Sequence, residues 1–373
     1  MNSSKPRLWI ISELFPPDES STSYILGEIA KIMLPKYDVN VICGPIVYDK
    51  NKSLSDSKLP EEIKIYRIKG LNLDKNTIFG KIISFILITY RLHKMAKSKI
   101  SRNDKVLMVT NPATLIVAIS RLKRDVGFSL DILVHDVFPE NAQAGGIMFP
   151  SAFYRKLKKI FDKAYSRADR LIVLGRDMEE VLREKTLRYS PNIKISIIEN
   201  WADIENITPE PFPTGPIKLQ YAGNIGRVQG LPNVIHHLPD NIEFHIYGTG
   251  ALENKLKNID AKNVFFHGAY RRSEQSDILG QCDIALVTLS DGMYGLGVPS
   301  KTYNILASGR PVLFLGPENS EIYRLVKEKG IGYSNWPQKW DREELKEMGA
   351  KARKVAEEEY SEDIILQKFV QLI

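Results

Sequence analysis

Only two cysteines, Cys43 and Cys282, occur in the 373 residues, and they stand far apart. They form neither a disulfide framework nor a metal-ligand spacing, so a reduced, cytoplasmic setting is expected. The opening Met-Asn-Ser-Ser-Lys-Pro-Arg does not read as a signal peptide. The apolar run Gly80–Tyr90 falls short of the roughly 20 residues a membrane span needs. Several chemical signatures are also missing. There is no G-x-G-x-x-G fingerprint with a downstream acidic residue, which disfavours a nicotinamide enzyme, and no P-loop, which disfavours ordinary NTP hydrolysis. No Ser/His/Asp triad, His-x-x-x-His pair or Asp-x-Asp appears, so neither a metal nor a cofactor is expected. No helix-turn-helix, zinc-finger or aromatic RNA-binding motif appears either, so nucleic acid is not expected as a partner.

What is present is a lopsided charge. Residues 1–200 carry 33 Lys/Arg against 22 Asp/Glu, whereas the remainder carries 19 against 23. A basic first half favours an anionic partner. Two segments sharpen this. Gly80–Tyr90 is followed by Arg91, His93, Lys94, Lys97 and Lys99. Ser151–Ala168 sets Phe153, Leu157, Ile160, Phe161 and Ala164 at helical spacing beside Arg155, Lys156, Lys158, Lys159 and Lys163. Such a helix either lies peripherally on an anionic membrane or packs its apolar side on its own domain.

Apolar runs of strand length alternate with helix-like segments, the pattern of parallel βαβ units. Seven strand candidates precede residue 200 and five follow residue 216. The stretch between holds four prolines in Thr208–Pro216, which exclude helix and central strand. The expected fold class is therefore α/β, with two Rossmann-like doubly wound domains. An N-terminal domain spans 1–205 and a C-terminal domain 206–360. The amphipathic helix 361–373 is a candidate to fold back on the first.

Ligands of such sheets bind beyond the carboxyl ends of the strands, and the loops there are chemically loaded. The loop Glu13–Ser23 ends in the hydroxyls of Ser20, Ser21 and Thr22. His135-Asp136 follows an apolar strand; histidine exchanges protons near neutrality, although a structural histidine would also fit. Gly223-Asn-Ile-Gly-Arg-Val-Gln-Gly230 combines close backbone approach with the forked cation Arg227. Gly248-Thr-Gly250 is a weaker turn signal. Val298–Val312 reads as a loop, a helix capped by Ser300 and stopped at Gly309-Arg-Pro311, and the start of a strand. It is either an ordinary capped helix or a phosphate seat, in which Lys301 and helix-start N–H groups near Ser300 and Thr302 meet an anion.

At these motifs the chain resembles a family. Phe15-Pro-Pro17, Asp136-x-x-Pro139-Glu140, Asn200 before the linker, Tyr221-x-Gly-Asn224, and Pro299-Ser-Lys-x-Tyr303 followed by Ala307-x-Gly-x-Pro311 run along nearly the whole length. Together they are similar to the retaining, metal-independent GT-B transferases of glycosyltransferase family 4, in the branch that makes O-antigens and capsules. Leu296 and Asn304 stand where that family commonly carries two glutamates, and Gln229 replaces a second cation.

The resemblance implies that the C-terminal domain binds a nucleotide-diphospho-sugar, most simply a UDP-sugar. Gly223, Asn224, Gln229, Gly248, Ser300 and Thr302 would line the donor site, with Asn304 near the ribose and Ala269 and Tyr270 near the base. Arg227 and Lys301 would stabilise the leaving diphosphate. His135 and Asp136 would position the sugar, while Ser20, Ser21, Thr22 and Glu140 would face a glycan or polyprenyl-diphosphate-linked acceptor. The rival readings are a GT-B-fold UDP-sugar 2-epimerase and a non-catalytic nucleotide-sugar-binding partner.

Overall fold

The computed structural model describes residues 5–18, 20–46, 59–70, 78–290 and 292–373, with the side chains of 78–82 left aside. Glu19 of the first loop therefore lies outside the described residues, as do the first side chains of the Gly80–Tyr90 run.

Thirteen strands are present among the described residues: β1 (Arg7–Ser12), β2 (Asp38–Cys43), β3 (Lys64–Arg67), β4 (Lys105–Val109), β5 (Ser129–Val134), β6 (Arg170–Val173), β7 (Lys194–Ile197), β8 (Ile217–Ala222), β9 (Ile242–Tyr247), β10 (Val264–Gly268), β11 (Ile284–Thr288), β12 (Val312–Leu315) and β13 (Gly332–Tyr333). The first seven form one sheet in the order β3-β2-β1-β4-β5-β6-β7 and the last six another, β10-β9-β8-β11-β12-β13. All their pairings are parallel. Strands such as β1, β2 and β5 are buried on both faces behind a polar first residue, which is why they read as apolar runs rather than alternations. The two-residue β13 has no such run and escapes sequence reading.

In each sheet the strand order reverses beside the first strand of its domain, between β1 and β4 and between β8 and β11. A crevice opens where neighbouring connections leave in opposite directions. The two crevices face one another. Antiparallel contact between Asp136 and Gly297, with the Val137 N–H donating to the Leu296 carbonyl at 3.0 Å, ties the walls together. A second junction pairs helix ends. The Glu321 carboxylate accepts the Arg176 N–H at 2.6 Å, and Asp177 accepts the Glu321 N–H at 3.1 Å.

The proline-rich linker is held by Arg310, which is fully buried. Its guanidinium donates to the carbonyls of Glu210, Pro211 and Gly280 and covers the Phe212 ring. After the helix Arg342–Glu359 the chain returns to the first domain. The helix Glu362–Leu372 lies against the helix Ser21–Met33. There Tyr37, Lys105 and Arg170 donate to carbonyls of Ile373 and Leu372 at 2.6–2.9 Å.

No described helix is long and apolar enough to cross a membrane. The helix Ser151–Tyr165 forms as its periodicity predicts, but only Phe161, Ala164 and Tyr165 are buried. Phe153, placed by its spacing on the packed side, is 53% exposed beside the 94%-exposed Met148. In the helix Ile78–Lys99, Phe85, Ile86 and Tyr90 also face solvent.

Candidate active site

A cavity of about 620 Å³ occupies the interdomain cleft. From the first domain, Ser21 and Tyr24 at the start of the helix after β1 line it, with Asp136 and Asn141 beyond β5. The connecting segment adds Asn200, Trp201 and Asp203. The second domain supplies Gly223, Asn224, Val228 and Gln229 after β8, Tyr270, Arg272 and Gln275 after β10, and Gly297, Ser300, Lys301 and Asn304 beyond β11.

Lys301 is the cation of the wall beyond β11. It opens the helix Lys301–Ala307, and its buried Nζ has no hydrogen-bond partner. The amine lies 3.4 Å from the Tyr221 ring centroid and against Gly223, where an added Cβ would stand 3.5 Å from it. Burial pushes its pKa down to about 7. An unpaired buried cation is costly unless something anionic joins it. The Gln229 Oε1, also in the wall, is likewise buried without a partner.

Across the cleft, the Thr110 hydroxyl beyond β4 accepts the N–H groups of both His135 and Asp136 at 3.2 Å. This turns the chain sharply and sends the Asp136 side chain into the cavity. Burial pushes the Asp136 carboxyl up to about 6, opposed by a hydrogen bond from Asn141. The His135 ring pairs through Nδ1 with the Thr22 hydroxyl at 3.2 Å, and burial pushes its pKa down to about 4. The ring is therefore neutral at pH 7.

Of the residues expected at the site, several sit away from the cavity and others line it with their polar groups already engaged within the protein. Arg227 opens a single 3₁₀ turn, Arg227–Gln229, where successive side chains diverge by roughly a third of a turn. Gln229 thus faces the cavity while Arg227 is exposed and points toward Gly146 of the first domain. Thr302 follows Lys301 by about 100° of helix and is wholly buried away from the cavity wall. Ser300 lines the cavity but is already helical and makes no capping bond; the Thr302 N–H is spent on the Pro299 carbonyl.

Gly248 serves packing: with φ at +130°, an added Cβ would lie 1.9 Å from the Gly223 carbonyl. Ala269 is exposed outside the wall, leaving Tyr270 to line it. Ser20 caps the helix Ser21–Met33 by accepting the Ser23 N–H, and Thr22 holds His135. Glu140 turns away to Lys185 at 2.6 Å and Lys158 at 3.1 Å, so neither Glu140 nor Lys158 is a free charge. Asn304 stays in the wall, its amide tethered at both ends: Oδ1 accepts the Asp203 N–H and Nδ2 donates to Gln275 Oε1.

Sequence reasoning missed Asn141, Tyr24 and Arg272. Asn141 immediately follows Glu140 in the quoted motif. The Arg272 guanidinium lies 4.0 Å from the Tyr24 ring centroid, an interdomain contact that no local pattern announces. Among the described residues no group of three or more His, Cys, Asp and Glu side chains is arranged to hold a metal ion.

The chain is 31% identical over 396 residues to the probable glycosyltransferase WbjE of Pseudomonas aeruginosa, covering 98% of this chain and 97% of that protein. This chain belongs to the GT-B glycosyltransferases. The transferase matches no protein-family model. Its fold is that of sucrose-phosphate synthase from Thermosynechococcus elongatus, with a TM-score of 0.74 at 12% identity over 99% of this chain and 98% of the other. It is also that of HepE from Anabaena, solved in complex with UDP, with a TM-score of 0.64 at 12% identity over 98% and 99%.

Proposed function

We propose that this transferase moves a sugar, with retention of configuration, from a UDP-sugar to a lipid-linked glycan in the synthesis of a bacterial surface polysaccharide. The observation that carries the reading is the buried, unpartnered Lys301 amine facing the glycine loop across from Asp136. Breaking the bond between the anomeric carbon and the diphosphate leaves negative charge where that amine stands. Stabilising charge as it develops is an effective way to lower such a barrier. The new bond forms from the acceptor oxygen on the same face, and the acceptor proton passes to the departing phosphate oxygen. No metal enters this scheme. Arg227, at the rim, would close on the diphosphate only by swinging inward.

The UDP assignment is supported by the UDP complex of HepE and by Tyr270 in the wall beyond β10. The family motifs support the surface-polysaccharide assignment. The exposed Phe85, Ile86, Tyr90, Met148 and Phe153 and the exposed basic residues of the same domain support a lipid-linked acceptor, which would be met peripherally at the cytoplasmic membrane.

Thermal shift with UDP, GDP, ADP and dTDP tests the donor seat. Selective stabilisation by UDP is expected, with Lys301→Ala weakening it by tenfold or more, about 1.4 kcal/mol. Equal indifference to all four would defeat the reading. Product analysis with a UDP-sugar alone separates the rival: a modified UDP-sugar released without acceptor means epimerisation.

A further inference from the structure

We infer that Asn141 is a positioning residue that aims the Asp136 carboxylate into the cleft and makes that aim depend on closure of the two domains. This rests on the transferase reading of the cleft.

Asn141 is the second residue of the short helix Glu140–Ala144, and its own N–H is fixed on the Val137 carbonyl at 2.9 Å. Its side chain therefore leaves a rigid turn directly beneath Asp136. The Nδ2 donates to Asp136 Oδ1 at 2.9 Å and reaches the Leu296 carbonyl of the other domain at 3.4 Å. That same carbonyl accepts the Val137 N–H. One amide group thus touches the carboxylate of one wall and the backbone of the opposite wall. Gly297 presses from the far side, where an added Cβ would come within 3.2 Å of Asp136 Oδ1. The carboxylate is held between Asn141 below and Gly297 across the cleft, and only the closed arrangement supplies both.

The other polar groups around Asp136 do not replace this contact. The Thr110 hydroxyl is taken by backbone N–H groups, and the Tyr165 hydroxyl accepts the Phe138 N–H at 3.1 Å. His135 is uncharged at neutral pH, Glu140 is paired with Lys185, and the 296–298 loop brings backbone. A hydrogen bond donated to a carboxylate favours its charged form. Losing Asn141 raises the Asp136 pKa further and leaves the carboxylate free to rotate.

The test uses the full chain labelled with carbon-13 at aspartate carboxyls, the Asp136 signal being assigned with Asp136→Asn. In Asn141→Ala the Asp136 titration should move up by about one pH unit. In transfer from a UDP-sugar, the acid limb of the kcat profile should move with it. At pH 6 kcat should fall on the order of tenfold or more, with the donor KM within about twofold, and Asn141→Gln should recover part of the loss. An unmoved Asp136 titration in folded Asn141→Ala overturns the inference, as does a moved titration with an unchanged kcat profile. Gly297→Ala, which pushes the same carboxylate from the other domain, gives the same two readouts should Asn141→Ala not fold. If the wild-type chain transfers nothing from any UDP-sugar, the transferase reading fails on its own. The titration, which needs no substrate, then still decides whether Asn141 governs Asp136.

Discussion

Lys301 combines a buried amine, an aromatic neighbour and no hydrogen-bond partner for that amine, and these properties have a thermodynamic consequence. With its pKa pushed down to about 7, the free enzyme holds the amine about half protonated at neutral pH. A bound diphosphate favours the charged form, so binding must take up a proton. Calorimetry of UDP binding at pH 7, repeated in buffers of different ionisation enthalpy, should report an uptake of about half a proton. Affinity should weaken as pH rises from 7 toward 9, and Lys301→Ala should abolish the uptake. An uptake of zero in the wild type would overturn the prediction that the amine changes its protonation on binding. Gly248 has an equally local role. Its missing Cβ lets the loops after β8 and β9 touch backbone to backbone, which holds Gly223 against the Lys301 amine.

At the level of elements, the Arg176–Glu321–Asp177 junction is a reciprocal exchange. The helix Arg176–Leu187 begins after Gly175 and the helix Glu321–Lys329 after Ser320, and neither has a side-chain cap of its own. Each instead receives a carboxylate from the opposite domain, where helix-start N–H groups and dipole favour negative charge. Glu321→Ala should cost about 1–2 kcal/mol, read from denaturant unfolding, and should increase the radius of gyration in X-ray scattering. An unchanged radius would mean the exchange does not hold the cleft closed.

Such exchanges mark the limit of what the chain reveals by itself. The strands, the linker and the loops after β5 and β8 were legible because burial on both faces and turn chemistry leave local traces. Lys301 and Asp136 were legible because each belongs to a motif whose own residues are close together in sequence. The outward turn of Arg227, the paired state of Glu140 and the tethering of Asn304 to Asp203 were not. Each depends on a partner tens to more than a hundred residues away, or on one 3₁₀ turn in place of a helix.

For the whole molecule, the charge imbalance acquires a location. Helices Ile78–Lys99, Ala113–Val126 and Ser151–Tyr165 pack successively along the first domain. The outer two expose Phe85, Ile86, Tyr90 and Phe153. Lys158, spent on Glu140 and Asp162, contributes little to an external field, whereas Lys156 and Lys159 are exposed. Lys156→Glu combined with Lys159→Glu should therefore lower binding to vesicles containing anionic lipid by roughly tenfold or more, at about 1 kcal/mol for each cation near the surface. Wild-type affinity in the double variant would remove this surface from the lipid contact.

The two domains are joined by two passages of chain, one leaving the first domain near Ala202 and one returning at Ser361. The passages bridge each other, the Ala202 N–H donating to the Tyr360 carbonyl at 2.7 Å. Such a connection behaves as a strip rather than a cord: it bends across its width and resists twisting. A cleft hinged in this way is expected to open like a book on its spine, its pages parting without sliding, so that closure would return Asp136 opposite Gly297.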